Sequence, residues 1–185
     1  MTISRPLLSL LLIISFVLVT PSCARDDTAR EESSSSGQQQ ENSQTKWLSF
    51  NDGVAKAKTE DKPIFVEFYT DWCPYCKKFQ KETINEQNVA RILAENFVYV
   101  RLNAEDSKKR ATFQGKSFSN VELSNSFGIS AYPSLVFLDS RGQPITMLSG
   151  FVPAREFASV LDYIQQKCYQ TQISFRDFTK KGSCN

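Results

Sequence analysis

The sequence predicts an α/β domain with a central mixed sheet covered by helices on both faces. Three observations carry this. Two apolar runs of strand length, at 64–69 and 97–103, are each set between segments with helical spacing. Two further strand-like runs, 129–138 and 143–149, are joined by Asp139-Ser140-Arg141-Gly142, which reads as a turn. The last patterned stretch places Phe157, Val160, Leu161 and Ile164 at i, i+3, i+4 and i+7, one apolar helix face. The order is α-β-α-β-α-β-β-α.

Each element has a local reason. Trp47, Phe50 and Val54 recur near helical spacing, and the helix should end before Lys62-Pro63, because a residue preceding proline is pushed out of the helical region. The run Ile64-Phe65-Val66-Glu67-Phe68-Tyr69 is continuous rather than alternating, as in a strand buried on both faces, with Glu67 its one charge. Pro74 suits a first helical turn, where its missing N–H is no loss, and Phe79 continues that helix. After the polar stretch 83–88, Val89, Ile92 and Leu93 mark a second helical piece. Residues 104–120 are polar and mixed and read as an insertion, after which Val121, Leu123 and Phe127 suggest a helix stopped by Gly128. Pro133 opens the third strand, where a missing donor is tolerated, and Gly150 closes the fourth. Pro153 then starts the last helix. Phe79, Phe137 and Phe157 are expected in the core.

A chain of 185 residues suits one domain once processed and extended segments are set aside. The formal net charge is +2 with Lys and Arg dispersed, so no basic face argues for nucleic acid. Residues 1–22 read as an export signal: Arg5 supplies a positive start, and the apolar stretch 7–19 is too short to span a bilayer comfortably. Ser22 directly before Cys23 resembles the lipobox of bacterial lipoproteins, which makes Cys23 a lipidation candidate, with ordinary signal cleavage as the alternative. Residues 23–45, rich in Ser, Gln and acidic residues, lack the apolar surface to fold and are expected to form a disordered tether. The folded domain should occupy 46–167, followed by a C-terminal extension at 168–185.

Chemistry is expected at Asp71-Trp72-Cys73-Pro74-Tyr75-Cys76-Lys77, a Cys-x-x-Cys pair at a strand-to-helix joint. Two thiols across one helical turn can close into a disulfide and reopen. The positive end of the helix stabilises a thiolate at Cys73, making it the nucleophile, and Cys76 resolves the mixed disulfide. A zinc site is the structural alternative, but the chain contains no His and no second Cys-x-x-Cys, so no metal is expected. A copper chaperone would likewise need a ligand histidine. Cys168 and Cys184 remain once Cys23 and the active pair are set aside. In an oxidising compartment they are candidates for a structural disulfide, with free thiols or an auxiliary redox pair as alternatives.

Four separated motifs, Glu67-x5-Cys73-x-x-Cys76, Val100-Arg101-Leu102-Asn103, Phe127-Gly128-Ile129 and Tyr132-Pro133-Ser134-Leu135-Val136-Phe137, followed by Gly142 and Gly150, resemble the thioredoxin superfamily in the same order over about residues 47–166. Within it the chain is most similar to exported thioredoxin-like reductases, including the C-terminal domain of bacterial transmembrane disulfide reductases. The resemblance implies a thioredoxin fold, a thiol:disulfide oxidoreductase without cofactor, and a cis Pro133 packed against the active sulfurs with Tyr132 beside the substrate. It implies that Glu67 is a buried carboxylate accepting the proton of Cys76, and that Arg101 pairs with it. An exposed edge pair is the alternative for these two. Trp72, Pro74 and Tyr75 would shape substrate docking, with core packing the alternative for Trp72. Implied partners are exported protein disulfides or dithiols and a membrane thiol electron donor. Reduction of envelope proteins leads, with oxidase, isomerase, glutaredoxin-like and non-catalytic adaptor readings behind it, since Cys-Pro-Tyr-Cys is also a glutaredoxin signature.

Overall fold

A computed structural model describes residues 46–184; the expected export signal, the lipidation candidate Cys23 and the tether lie outside the described residues. Helix α1 (Phe50–Glu60) is capped by Ser49, whose hydroxyl accepts from the Asp52 N–H at 3.3 Å. It leads to β1 (Ile64–Tyr69), then α2 (Pro74–Phe79), which continues through a π turn over Gln80–Ile84, and α3 (Gln87–Asn96). Strand β2 (Val98–Asn103) follows, then β3 (Arg110–Phe113), β4 (Lys116–Ser119), α4 (Asn120–Ser126), β5 (Ser134–Leu138), β6 (Pro144–Ser149) and α5 (Ala154–Gln165). The chain closes with a 3-10 turn at Cys168–Gln170 and α6 (Phe175–Lys181).

The main sheet has the order β2-β1-β5-β6, with β1 parallel to β2 and antiparallel to β5, so the sheet is mixed as expected. Central β1 is paired on both edges, and its period-two side chains feed two cores. Phe65 joins Phe79, Ile84, Leu93, Phe137, Phe157 and Leu161 beneath α2, α3 and α5. Ile64, Val66 and Phe68 join Phe50, Val100, Leu123 and Val136 beneath α1 and α4. Glu67 shares the face of Phe65 and is wholly buried. Helix α1 approaches β2 so closely that a Cβ on Gly53 would overlap the Val100 side chain.

The structure corrects one expectation and adds detail to others: Trp47, read with the opening helix, precedes α1 and packs against Phe65 and Tyr99 instead. Residues 104–120 contain a separate two-stranded hairpin, β3–β4, turned at Gln114-Gly115 with positive φ of 49° and 77°. Two consecutive positive φ values match the twist of flanking strands. The Asn51 side chain reads the hairpin's edge, donating to Arg110 O at 3.2 Å and accepting from the Thr112 N–H at 2.7 Å. Next, β5 begins at Ser134, directly after the proline expected to open it, and a Ser134 hydroxyl bonded to Ala131 O accompanies the cis Tyr132–Pro133 bond in the loop before it. In the polar stretch 83–88, Thr83 is buried in the π turn and donates to Val152 O at 2.7 Å. Finally, the C-terminal extension is folded. Phe175 and Phe178 pack edge-on against Tyr163 of α5, whose hydroxyl donates to Ile173 O at 3.0 Å.

Candidate active site

Strand β1 ends at Tyr69, and four residues later Cys73 serves as the N-cap of α2. Its Sγ accepts the Cys76 N–H at 3.0 Å, so the sulfur lies where the first turn presents unpaired donors. Cys73 and Cys76 form a disulfide with Cα atoms 5.3 Å apart, and both are buried. The flanking aromatics are not. Trp72 is 63% and Tyr75 59% exposed, so core packing is excluded for Trp72. The indole Nε1 donates to both carboxylate oxygens of Glu105 at 3.1 and 3.0 Å, and the ring meets Tyr132 edge-on at 6.1 Å. The structure therefore brings Trp72 and Tyr132 together from opposite sides of the chain, beside the disulfide that Trp72 adjoins. Pro133 follows in a cis bond, its carbonyl accepting from the Gly150 N–H at 2.7 Å.

The strand that leads to Cys73 and the helix that follows Cys76 share a polar cluster in an apolar core. Glu67 and Arg101 are directly paired in register across β1 and β2, and the Arg101 Nε donates to Glu67 Oε2 at 3.0 Å. This overturns the exposed edge pair: the carboxyl is fully buried. The guanidinium lies over the Tyr69 ring, 3.8 Å from its centroid, which fixes its plane. The Gln80 side-chain amide donates to the same Oε2, while Oε1 is buried without a hydrogen-bond partner among the described residues. Burial pushes the Glu67 carboxyl up to about 7, opposed by the Arg101 charge and by the hydrogen bonds from Arg101 and Gln80. A carboxyl at that value exchanges a proton near neutrality.

Gln80, Tyr69 and Glu105 were not singled out in the sequence. Gln80 had a signal, since it stands four residues after Cys76 and so on the same helical face. Away from this site, Cys168 and Cys184 are disulfide-bonded with Cα atoms 5.4 Å apart, joining the end of α5 to the end of α6. Among the described residues no three or more His, Cys, Asp or Glu side chains gather as a metal site, and no helix is long and apolar enough to cross a membrane.

Residues 50–165 match the family model of the thioredoxin-like domain. The chain belongs to this family. A thiol:disulfide interchange protein, DsbD, of Vibrio vulnificus is 32% identical over 115 residues, 61% of this chain but 17% of that protein. The thioredoxin-like domain thus spans about a sixth of the length of the relatives it matches. A thioredoxin-fold protein from Helicobacter pylori superposes with a TM-score of 0.57 at 27% identity, covering 66% of this chain and 80% of that one. A thioredoxin from Thermus thermophilus gives 0.53 at 23% identity, covering 64% and 85%, a likeness of fold alone. In this thioredoxin-like domain the Cys73–Cys76 disulfide is seated at the start of α2, the arrangement that thiol:disulfide exchange requires.

Proposed function

We propose that the protein is an exported thiol:disulfide oxidoreductase that reduces disulfides in envelope proteins and is recharged by a membrane thiol donor. In this reading residues 1–22 direct export, Cys23 carries the lipid, residues 23–45 tether the catalytic domain at 46–167, and the extension at 168–185 stabilises it. The observation that carries the reading is the pairing of a Cys-x-x-Cys disulfide at a helix N-terminus with a buried carboxyl poised near neutrality on the preceding strand.

Each step balances in sulfur bonds, protons and electrons. In the reduced protein the Cys73 thiolate attacks one sulfur of a substrate disulfide; a Cys73–substrate bond forms and the other substrate sulfur leaves as a thiolate. Cys76 gives its proton to Glu67 and attacks Cys73, forming the Cys73–Cys76 bond and releasing the second substrate thiolate, so the substrate gains two electrons. A dithiol donor then returns two electrons to the pair. Trp72, Tyr75, Tyr132 and Pro133 provide the apolar surface on which the substrate segment lies, and Arg101 holds the Glu67 carboxyl in place. Support for the interchange chemistry comes from the name of the Vibrio vulnificus relative.

The test pairs the Cys73/Cys76 reduction potential, measured in glutathione buffers, with trapping of partners on a Cys76→Ala variant. The reductive reading expects a potential well below that of the glutathione pool and partners captured through their disulfides. An oxidising potential, with partners captured as dithiols awaiting oxidation, would overturn it in favour of an oxidase or isomerase.

A further inference from the structure

Gln80 stands where α2 passes into a π turn, and its backbone and side chain are both hydrogen-bonded. Its backbone N–H bonds back to the Cys76 carbonyl, and the chain then widens into the π turn at Gln80–Ile84. Buried Phe79 and Ile84 anchor the two ends of that turn, and the Thr83 hydroxyl ties it to Val152 O at 2.7 Å. π turns of this kind re-aim side chains relative to a regular helix. The aim here is at Glu67: the Gln80 amide donates to Oε2, the oxygen that Arg101 Nε also reaches at 3.0 Å, and Oε1 is left buried without a partner.

Two donors on one oxygen and none on the other make the carboxyl asymmetric. A proton placed on Oε2 would collide with both donors. A proton placed on Oε1 leaves Oε2 as a carbonyl-like acceptor and keeps both bonds intact. We propose that Gln80 is a positioning residue that, with Arg101, directs proton uptake by Glu67 to Oε1 and stabilises its ionised form. The inference rests on the reading of Glu67 as proton acceptor for Cys76 and names the residue that orients it. The charged and titratable groups facing Glu67 are Arg101 from β2 and Tyr69 from its own strand; β5 presents apolar Leu135 opposite it. Arg101 is itself fixed by the Tyr69 ring, so loss of the Gln80 donor is not made good by a second donor from Arg101. Being neutral, the amide donates at every pH.

The experiment is a 13C NMR titration of the Glu67 side-chain carboxyl in the oxidised full chain, assigned by comparison with Glu67→Gln. Wild type is compared with Gln80→Met, which keeps the bulk and removes the donor, and with Gln80→Asn, which keeps the amide but shortens its reach. Loss of one hydrogen bond to a charged group should move the midpoint alkaline by about one pH unit, a tenfold gain in proton affinity. A midpoint unmoved in either folded variant overturns the proposal, and two variants guard against one failing to fold. The pH profile of disulfide turnover in the same variants separates the two claims. If the NMR midpoint moves and the acid limb of the rate moves with it, both stand. If the midpoint moves and the rate profile does not, Gln80 positions Glu67 as proposed and the proton-acceptor role of Glu67 falls.

Discussion

Replacing Glu67 by glutamine should make the oxidised protein more stable at alkaline pH and nearly leave it unchanged near pH 4. The folded-state value lies at about 7 against 4.5 for a free glutamate side chain, and burial is the largest cause. Because the folded value is the higher one, the native state holds this proton where the unfolded chain has released it. The resulting stabilisation is fully present below about pH 4.5 and is lost as pH rises through 7. A rise of that size is worth about 3 kcal/mol, so wild type above pH 8 should have forfeited about that much relative to acid pH. Glutamine carries no such dependence, and its carbonyl can accept from Arg101 and Gln80 as Oε2 does. The attraction of Arg101 is already among the causes that set the folded value, so it is not subtracted again. The net gain at pH 8.5 is therefore about 3 kcal/mol, roughly 6–12 °C in Tm for a domain of this size. The assay is thermal unfolding with the Cys73–Cys76 bond intact, at pH 4.5 and 8.5, for wild type and variant. Parallel stability–pH curves for the two proteins would refute the assignment of a neutral, buried carboxyl at 67.

Three further outcomes are expected. Changing Cys168 and Cys184 together to serine opens a disulfide with a sequence separation of 16 and should cost about 3 kcal/mol in urea unfolding; a loss below about 1 kcal/mol would show that the bond is no staple. Gly53→Ala should destabilise by about 1–2 kcal/mol, because overlap with Val100 outweighs the gain of about 1 kcal/mol in helix propensity, and a rise in Tm would refute the close approach of α1 to β2. Trp72→Ala should leave stability within about 0.5 kcal/mol, since the ring is largely exposed, while lowering kcat/KM for a protein disulfide about tenfold; equal loss with a small-molecule disulfide would argue against docking.

The parts of the fold legible in the sequence were those whose periodicity is local. The unbroken run of β1 announced a central strand, and the i, i+3, i+4, i+7 spacing of α5 announced a helix; both are found where the pattern puts them. The hairpin β3–β4 was hidden because each strand has four residues, with Lys116 and Arg110 at its ends and Ala111 as the one fully buried apolar side chain. Its stability comes from distant partners that no window reveals: Phe113 on Phe127 at 4.8 Å, and Asn51 on its backbone. Helix α6 did carry end signals, Ser174 with Asp177 three residues on and Gly182 beyond its end, but seven residues are too few for periodicity to stand out. At the site, Glu67 was visible as a charge inside an apolar run. For Gln80 the spacing of four from Cys76 gave its face but not its role, because a glutamine on a helix is ordinary until the partner on another element is known.

Among the described residues there are two disulfides, and their surroundings explain why one suits exchange and the other a staple. Cys73 caps a helix, accepts a backbone N–H, lies between exposed aromatics in the sequence and follows a strand, β1, that carries a titratable carboxyl. Each feature favours a thiolate or moves a proton once the bond opens. Cys168 is wholly buried in a short 3-10 turn, and the Cys184 sulfur lies 3.7 Å from the Gln166 carbonyl oxygen and 3.9 Å from its side-chain oxygen. Acceptor oxygens around a sulfur disfavour its anion, so a reduced Cys184 would be a poor nucleophile. The same contrast accounts for Glu67. A buried ion pair at the centre of β1 is the kind of arrangement that well-packed apolar residues commonly match or exceed in stability, and packing against Phe65 and Leu135 gives no reason for a carboxyl there. The proposed exchange reaction supplies a reason: a protein using Cys73–Cys76 as a static crosslink would have nothing for that proton to do.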